Sequence, residues 1–198
     1  CTKLMADLGA SVVKIEPPGS GDPARKYGPF PDDIPNIEKS LLFAYLNTNK
    51  KSVTLDVKNT TGKKILMELI RDADILVESN SPKSMQELGL DYESLSSENK
   101  GLIVTSITPF GQNGPYRDYK ANDLVSFHIG GIGYPTPGDV DDPDTNPPLK
   151  APGHQADIMA GATGASGSMS ALFAREMTGT GQHLAVSETE VLGKVIGH

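Results

Sequence analysis

Tryptophan is absent from the 198-residue chain, and cysteine occurs once, at the first position. Aromatic residues make up only 6% of the chain, so the sequence lacks the stacking platforms typical of proteins that bind single-stranded nucleic acid. A single cysteine excludes an internal disulfide framework and is typical of a reducing, cytoplasmic environment. No apolar run approaches the roughly 20 residues that span a bilayer.

Basic charge is also scarce. The sequence has 18 basic against 25 acidic residues, a net charge of -7, and no Lys/Arg run is longer than a pair. A surface for nucleic acid or for an anionic membrane is therefore not expected. The hydrophobic content of 37% and charged content of 22% are ordinary for a globular domain.

Strand and helix patterns alternate along the chain. The predicted strands are 11–16, 52–57, 74–78, 102–107 and 183–186, and the predicted helices include 61–72, a helix from Pro82, 91–99 and Asp157 to about Met177. This order predicts an α/β fold with a parallel sheet. Ligands of such sheets bind beyond the carboxyl ends of the strands, so the loops that follow the strands are the candidate site.

Two stretches have the composition of loops. Residues 17–40 and 130–150 are rich in glycine, proline or both, and the second includes the acidic run from Asp139 to Asp144. That run lacks the glycine and the terminal glutamate of a calcium-binding EF-hand loop, so a solvated loop is expected. The four histidines have no metal-ligand spacing, and the sequence predicts no metal site.

The helix that follows Asp157 is rich in small residues. Gly161, Gly164 and Gly167 lie three residues apart. Each interior glycine costs about 0.8–1 kcal/mol relative to alanine. A helix that tolerates three of them is expected to have another backbone or a bound ligand packed close to it.

Asp157 itself permits two interpretations. Aspartate is among the best helix N-caps, which is a purely structural role. A carboxylate at a helix N-terminus is also stabilised as the anion, and neighbouring backbone N–H groups would be available to a developing oxyanion. Since an ionised carboxylate needs no general base, it is a competent nucleophile. Spacing alone leaves both roles open, and they are compatible.

Six strings of the sequence, in one order and over nearly the whole chain, resemble the family III coenzyme A (CoA) transferases of the CaiB/BaiF group. The strings are LGASVVKIEPPGSGDPAR (8–25), NTNKKSVTLDVK (47–58), ADILVE (73–78), ITPFGQNGPY (107–116), ADIMAG (156–161) and TGTGQH (178–183). The resemblance implies a Rossmann-like large domain, of which residues 1–198 would be the N-terminal part, truncated at both ends, without the opening strand and the small domain. It also implies an interlocked homodimer.

The same resemblance implies site residues. Asp157 matches the family nucleophile, whose carboxylate forms an anhydride and then an aspartyl-CoA thioester while CoA moves from an acyl-CoA to a carboxylic acid. The positions that contact CoA in the family fall on Leu55, Asp56, Val57, Lys58, Ser79, Asn80, Ser81, Tyr119, Lys120, Ala121 and Asn122. Acyl-CoA and a carboxylic acid would be the partners, and no metal or redox cofactor is implied.

The sequence departs from the family pattern in several places. Pro17 and Glu87 stand where basic residues are common, and Ser79 lies in a stretch that differs from the usual one, so Arg25, Lys51 and Lys83 are possible replacement phosphate ligands. The racemase branch of the family has a histidine where this chain has Asn122, which cannot transfer a proton at neutral pH. The alternatives to CoA transfer are an acyl-CoA racemase or isomerase, and an inert CoA-binding fragment.

Overall fold

The computed structural model describes residues 1–136, 142, 144–147, 149 and 151–196. Helices and parallel strands alternate along this part of the chain, which confirms the predicted α/β class. The fold divides into two compact units. The first unit is Thr2–Leu69, and the second comprises Cys1 and the chain from Ile70 onward.

The first unit is built on a pair of parallel strands. Its elements are α1 (Thr2–Asp7), β1 (Val12–Glu16), two short 3-10 turns (Pro23–Lys26 and Pro31–Asp33), α2 (Leu41–Leu46), β2 (Lys50–Thr54) and the start of α3 (Thr60–Arg71). Val12 lies opposite Lys50, and Glu16 lies opposite Thr54. The predicted strand 52–57 was placed too late, because β1 ends at Glu16 and the chain after Thr54 turns towards α3.

The side chain of Glu16 links several parts of this unit through hydrogen bonds. Its side chain is buried, and both of its carboxylate oxygens accept hydrogen bonds from the Arg25 guanidinium, at 2.7 and 3.0 Å. The Ser52 hydroxyl and the Asp22 backbone N–H also donate to it, at 2.8 and 2.9 Å. The Arg25 guanidinium lies 3.8 Å from the ring centre of Phe43. The hydrogen bonds from Arg25 are the main reason why the pKa of Glu16 falls to about 2.

The second unit contains a three-stranded parallel sheet in the order β3-β4-β5. Its elements are β3 (Ile75–Glu78), α4 (Pro82–Leu88), α5 (Tyr92–Glu98), β4 (Ile103–Thr108), α6 (Asp123–Ile129), α7 (Gln155–Thr178), β5 (His183–Ser187) and α8 (Glu188–Ile196). The predicted strands are confirmed here within about one residue. Helix α6 was not predicted, since its seven residues are too few to show a clear period.

Two of the three glycines in α7 face the sheet, and the third, Gly161, faces the backbone N of Cys1, which would lie 2.9 Å from an added Cβ atom. A Cβ atom added at Gly164 would lie 2.9 Å from Cδ1 of Ile107, and one added at Gly167 would lie 2.6 Å from Cδ2 of Leu184. The predicted close approach of another backbone is found at Gly161, whereas at Gly164 and Gly167 the close neighbours are sheet side chains instead. The helix approaches the sheet more closely than side chains at these positions would allow.

Helix α7 runs antiparallel to β4. Ser168 lies in the middle of the helix and forms a buried hydrogen bond with Thr105, at 2.7 Å, whereas Arg175 near its end donates to the carbonyl of Gly101, at 3.0 Å. Later helix residues thus contact earlier strand residues. The start of α7 consequently lies towards the carboxyl ends of the strands, which is where ligands bind in such sheets.

Parts of the predicted loop 130–150 can be compared with the structure. Residues 130–136 form turns, as predicted. Residues 137–141, 143, 148 and 150, which include most of the acidic run, lie outside the described residues, as do 197–198. Among the helices of the described chain, none is both long enough and apolar enough to span a membrane.

Candidate active site

Asp157 lies in the first turn of α7, as its third residue. The helix begins at Gln155, and its N-cap is His154, whose side chain makes no capping hydrogen bond. The prediction that Asp157 starts or caps the helix is therefore wrong: the helix starts two residues before Asp157, and its N-cap lies three residues before it. The physical reason is that another carboxylate, from a distant part of the chain, fills the capping role.

That carboxylate belongs to Asp123, the first residue of α6. It is buried, with 7% of its surface exposed, and its Oδ1 accepts the backbone N–H groups of Ala156 and Asp157, at 2.8 and 3.3 Å. Two N–H groups that have no partner within the helix are thereby satisfied. The expectation that N–H groups beside Asp157 serve a developing oxyanion is wrong for these two, because both already point at Asp123.

His154 is a titratable neighbour of the Asp157 side chain. Its Nδ1 lies 3.2 Å from Oδ2 of Asp157, while 51% of the Asp157 side chain remains exposed. The carboxylate is thus positioned and still accessible to a substrate. Sequence reasoning missed this pair, although a spacing of three residues at a helix start was a usable signal.

The ligand atoms of Asp123, His154 and Asp157 lie within 4.8 Å of one another. A divalent cation could in principle use such a spacing. However, Oδ1 of Asp123 already accepts two backbone N–H groups, and His154 already contacts Asp157. Proximity of these groups alone does not identify a metal site, and the expected absence of a metal stays a prediction.

The first predicted CoA stretch, 55–58, lies in the first unit between the end of β2 and the start of α3. Asp56 organises it: its Oδ1 accepts the N–H of Lys58 at 3.0 Å, and its Oδ2 accepts the side-chain amide of Asn59 at 3.1 Å. Leu55 and Val57 are partly buried, whereas Lys58 is exposed. The turn therefore presents the Lys58 side chain to solvent, where a phosphate could reach it.

The second stretch, Ser79 to Ser81, links β3 to α4 and is exposed. Asn80 donates its backbone N–H to Glu78 at 2.7 Å, and Ser81 caps α4 by accepting the N–H of Ser84 at 3.2 Å. This confirms the helix start predicted before Pro82. Both hydrogen bonds fix the backbone of the turn.

The third stretch leads into α6. Tyr119, Lys120 and Asn122 are exposed and Ala121 is partly buried. Asn122 caps α6 by accepting the N–H of Val125 at 3.1 Å. It directly precedes Asp123, which is hydrogen-bonded to Asp157, so the structure brings this stretch next to the start of α7. In the second unit, 79–81 follows the end of β3, and 119–122 lies in the connection that leaves the end of β4.

The replacement phosphate ligands differ in availability. The guanidinium of Arg25 already donates hydrogen bonds to the carboxylates of Glu16 and Glu38 in the first unit. Lys83 and Glu87 lie on the exposed surface of α4, 3.9 Å apart. An exposed pair of this kind contributes little stability. Lys83 is therefore easier to redirect to a ligand than Arg25.

Comparison with known proteins agrees with this fold. The family model described as CoA-transferase family III matches residues 1–197. The chain therefore belongs to the family III CoA-transferases, and the resemblance found in the sequence is confirmed.

Individual relatives give the same result. The chain is 40% identical over 191 residues to the acetyl-CoA:oxalate CoA-transferase of Acetobacter aceti, covering 94% of this chain and 46% of that protein. It is 39% identical over 185 residues to the succinyl-CoA:(R)-benzylsuccinate CoA-transferase subunit BbsE of Thauera aromatica, covering 93% and 44%. A solved CaiB/BaiF family protein from Brucella suis superimposes with a TM-score of 0.85 at 33% identity, over 98% of this chain and 50% of that one. The chain spans about half the length of these proteins.

Proposed function

We propose that the protein moves CoA from an acyl-CoA to a carboxylic acid, with Asp157 as the covalent nucleophile. The observation that carries the proposal is the state of Asp157: its backbone N–H is anchored by buried Asp123, while 51% of its side chain is exposed at the carboxyl-end side of the sheet. A positioned and accessible carboxylate is what nucleophilic attack requires.

The first half-reaction would transfer CoA to the enzyme. A carboxylate oxygen of Asp157 attacks the thioester carbon, the carbon–sulfur bond breaks, and CoA leaves as a thiolate from a mixed anhydride. The thiolate then attacks the aspartyl carbon. The donor acid leaves as a carboxylate, and an aspartyl-CoA thioester remains.

The second half-reaction would reverse these steps with a new acid. The acceptor carboxylate attacks the aspartyl thioester carbon, and CoA is again released as a thiolate. That thiolate attacks the acceptor carbonyl of the new anhydride. A new acyl-CoA leaves and the Asp157 carboxylate is restored, so no redox cofactor is needed to balance the reaction.

Asp123 and His154 would have different parts in this chemistry. Asp123 holds the backbone at the nucleophile and, because it is buried, keeps the first turn of α7 in place. His154 lies beside the reacting carboxylate, and its ring N–H would be a donor to an oxygen that becomes charged there.

The three predicted CoA stretches are proposed to contact the CoA moiety. They comprise Leu55, Asp56, Val57 and Lys58, then Ser79, Asn80 and Ser81, and finally Tyr119, Lys120, Ala121 and Asn122. Lys58 and Lys120 are exposed and positively charged, which suits phosphate groups. We further propose that residues 1–198 form part of one CoA-binding domain, and that the full-length protein is a cytoplasmic homodimer.

The names of two relatives point to a class of acceptor acid. The two are named for oxalate and for (R)-benzylsuccinate, which are both dicarboxylic acids. Dicarboxylic acids are therefore the first acceptors to test.

Covalent trapping tests the proposal. The full-length protein would be incubated with a panel of acyl-CoAs and quenched with hydroxylamine, and the modified peptide would be mapped by mass spectrometry. We expect a hydroxamate at Asp157, and CoA transfer should fall by more than about a thousandfold in Asp157→Asn, because the nucleophile is lost. The matched control is Asp72→Asn, which changes an exposed aspartate. If CoA binds but no label forms at Asp157, covalent transfer is ruled out and an inert CoA-binding protein is favoured.

An isomerase is the second candidate, and one contact favours it. His154 and Asp157 place two proton-transfer groups 3.2 Å apart, although Asn122 stands at the position where the racemase branch has its histidine. An isomerase would exchange the α-proton of an acyl-CoA with solvent in the absence of any acceptor acid. A proton-exchange measurement in deuterium oxide separates the two reactions.

A further inference from the structure

A second buried acid interacts electrostatically with the nucleophile, and the proposed chemistry does not use it. Glu188 is the first residue of α8, immediately after β5, and only 8% of its surface is exposed. Its Oε2 accepts a hydrogen bond from the Ser126 hydroxyl at 2.6 Å, and Ser126 is completely buried. Burying a carboxyl group costs free energy unless hydrogen bonds or an opposite charge compensate for its lost hydration.

Helix α6 connects this acid to the nucleophile. Ser126 and Asp123 are three residues apart and therefore lie on the same side of α6. Ser126 contacts Glu188 on α8, while Asp123 accepts the N–H groups at the start of α7. One short helix thus joins the buried acid to the backbone of Asp157.

Glu188 also interacts electrostatically with the site. Burial is the main reason why its pKa is raised; the charges of Asp157 and Asp123 raise it further, and the Ser126 hydrogen bond opposes them. The elements packed against α8 are α6, α7 and β5. Other titratable or charged groups on these elements and on α8 itself are His128, His154, Arg175, Glu176, His183, Glu190 and Lys194.

We propose that Glu188 is a positioning residue for Asp157, which acts in two ways. Through Ser126 and α6 it holds the start of α7, and through its negative charge it favours acylation of the nucleophile. The second effect follows from charge balance, because Asp157 becomes neutral when it forms the anhydride and its negative charge leaves with the CoA thiolate. Repulsion between the two carboxylates is present before this step and absent after it, so an ionised Glu188 speeds acylation and a protonated one does not. This inference rests on the proposed role of Asp157.

The test is the pH dependence of acylation in the full-length protein. Single-turnover labelling of Asp157 by an acyl-CoA, followed by the hydroxylamine quench, would be measured from about pH 4 to 9 in wild type and Glu188→Gln. Glutamine keeps the size of the side chain and an oxygen that accepts from Ser126, but it carries no charge. In wild type, acylation should speed up in a step with rising pH as Glu188 ionises. Glu188→Gln should lack this step and be slower than wild type by about tenfold above it, which corresponds to about 1.4 kcal/mol.

Two further variants make the test independent of a folding defect. Glu190→Gln removes an exposed acid two residues further along and should behave as wild type. Ser126→Ala removes the hydrogen bond that lowers the pKa of Glu188, so the step that reports Glu188 should move to higher pH. Identical pH profiles in wild type, Glu188→Gln and Ser126→Ala, with Asp157 labelled in all three, would overturn this proposal and leave the proposed function intact. Failure to label wild type would instead remove the proposed function and this inference with it.

Discussion

The two units of the chain each bury a glutamate, and they treat it in opposite ways. In the first unit, Glu16 accepts two hydrogen bonds from a guanidinium, and its pKa falls to about 2. In the second unit, Glu188 accepts from a hydroxyl, lies within the electrostatic influence of two aspartates, and has a raised pKa. The first carboxylate is stabilised as an anion by its surroundings, whereas the second is destabilised as one.

This difference separates a structural acid from a functional one. A fully paired carboxylate such as Glu16 ties the loop after β1 to the strands and has little capacity left for chemistry. Carboxylates that repel one another store free energy that a change of charge can release. Acids whose pKa is perturbed by burial and neighbouring charges are for this reason enriched at functional sites.

The largest expected effect comes from breaking the Glu16–Arg25 ion pair in the first unit. Glu16→Gln removes the charge that faces Arg25, whose side chain is only 16% exposed. The free energy of unfolding should fall by about 3–5 kcal/mol, as is typical when one partner of a buried ion pair is removed. Urea denaturation monitored by circular dichroism would measure it. A loss below about 1 kcal/mol would show that the pair is not structural; Glu38→Gln, which changes an acid that is 73% exposed, is the control.

A second effect compares the two glutamates through pH. The pKa of Glu16 lies below its ordinary value of 4.5, at about 2, so its contribution of about 3 kcal/mol is present above pH 4.5 and lost as pH falls towards 2. Glu188 has the opposite sign: its pKa is raised, so its favourable contribution is present at low pH and lost as pH rises through its folded-state pKa.

Urea denaturation at a series of pH values separates the two contributions. Glu16→Gln should flatten the acid limb of the stability curve, and Glu188→Gln should raise stability at neutral pH relative to low pH. Each unit by which burial raises a pKa corresponds to about 1.4 kcal/mol. If Glu188→Gln lowers stability equally at all pH values, Glu188 is a hydrogen-bonding residue without an electrostatic role.

The smallest effect on stability concerns the start of α7. Asp123→Ala leaves the N–H groups of Ala156 and Asp157 without this acceptor, which should cost about 1–3 kcal/mol. Hydroxamate formation at Asp157 should fall as well, because the nucleophile is no longer held. Asp123→Asn keeps an acceptor oxygen and should lose less in both measurements. Equal losses in the two variants would show that the charge of Asp123, rather than its hydrogen bonds, is what matters.

Much of the fold follows from local pattern. The apolar stretches at 74–78, 102–107 and 183–186 predicted β3, β4 and β5 closely, because alternating helices and strands have clear periods. Strand β2 begins two residues before its predicted start, since its pairing is limited by the five residues of β1 and not by its own composition. Helix α6 was missed because it is short and is held by contacts with α7 and α8.

The candidate site, like the fold, was predictable from the sequence only in part. The motif around Asp157 and the family resemblance were readable in the sequence, and the resemblance also predicted the stretches that would contact CoA. By itself the sequence determined the α/β order, the glycine spacing that lets α7 approach the sheet, and the identity of the nucleophile candidate. Only the tertiary structure decided that Asp123, 33 residues before Ala156, caps α7, and that Glu188, 62 residues after Ser126, is hydrogen-bonded to Ser126. The physical reason is that capping and electrostatic repulsion depend on distance in space, which local periodicity does not encode.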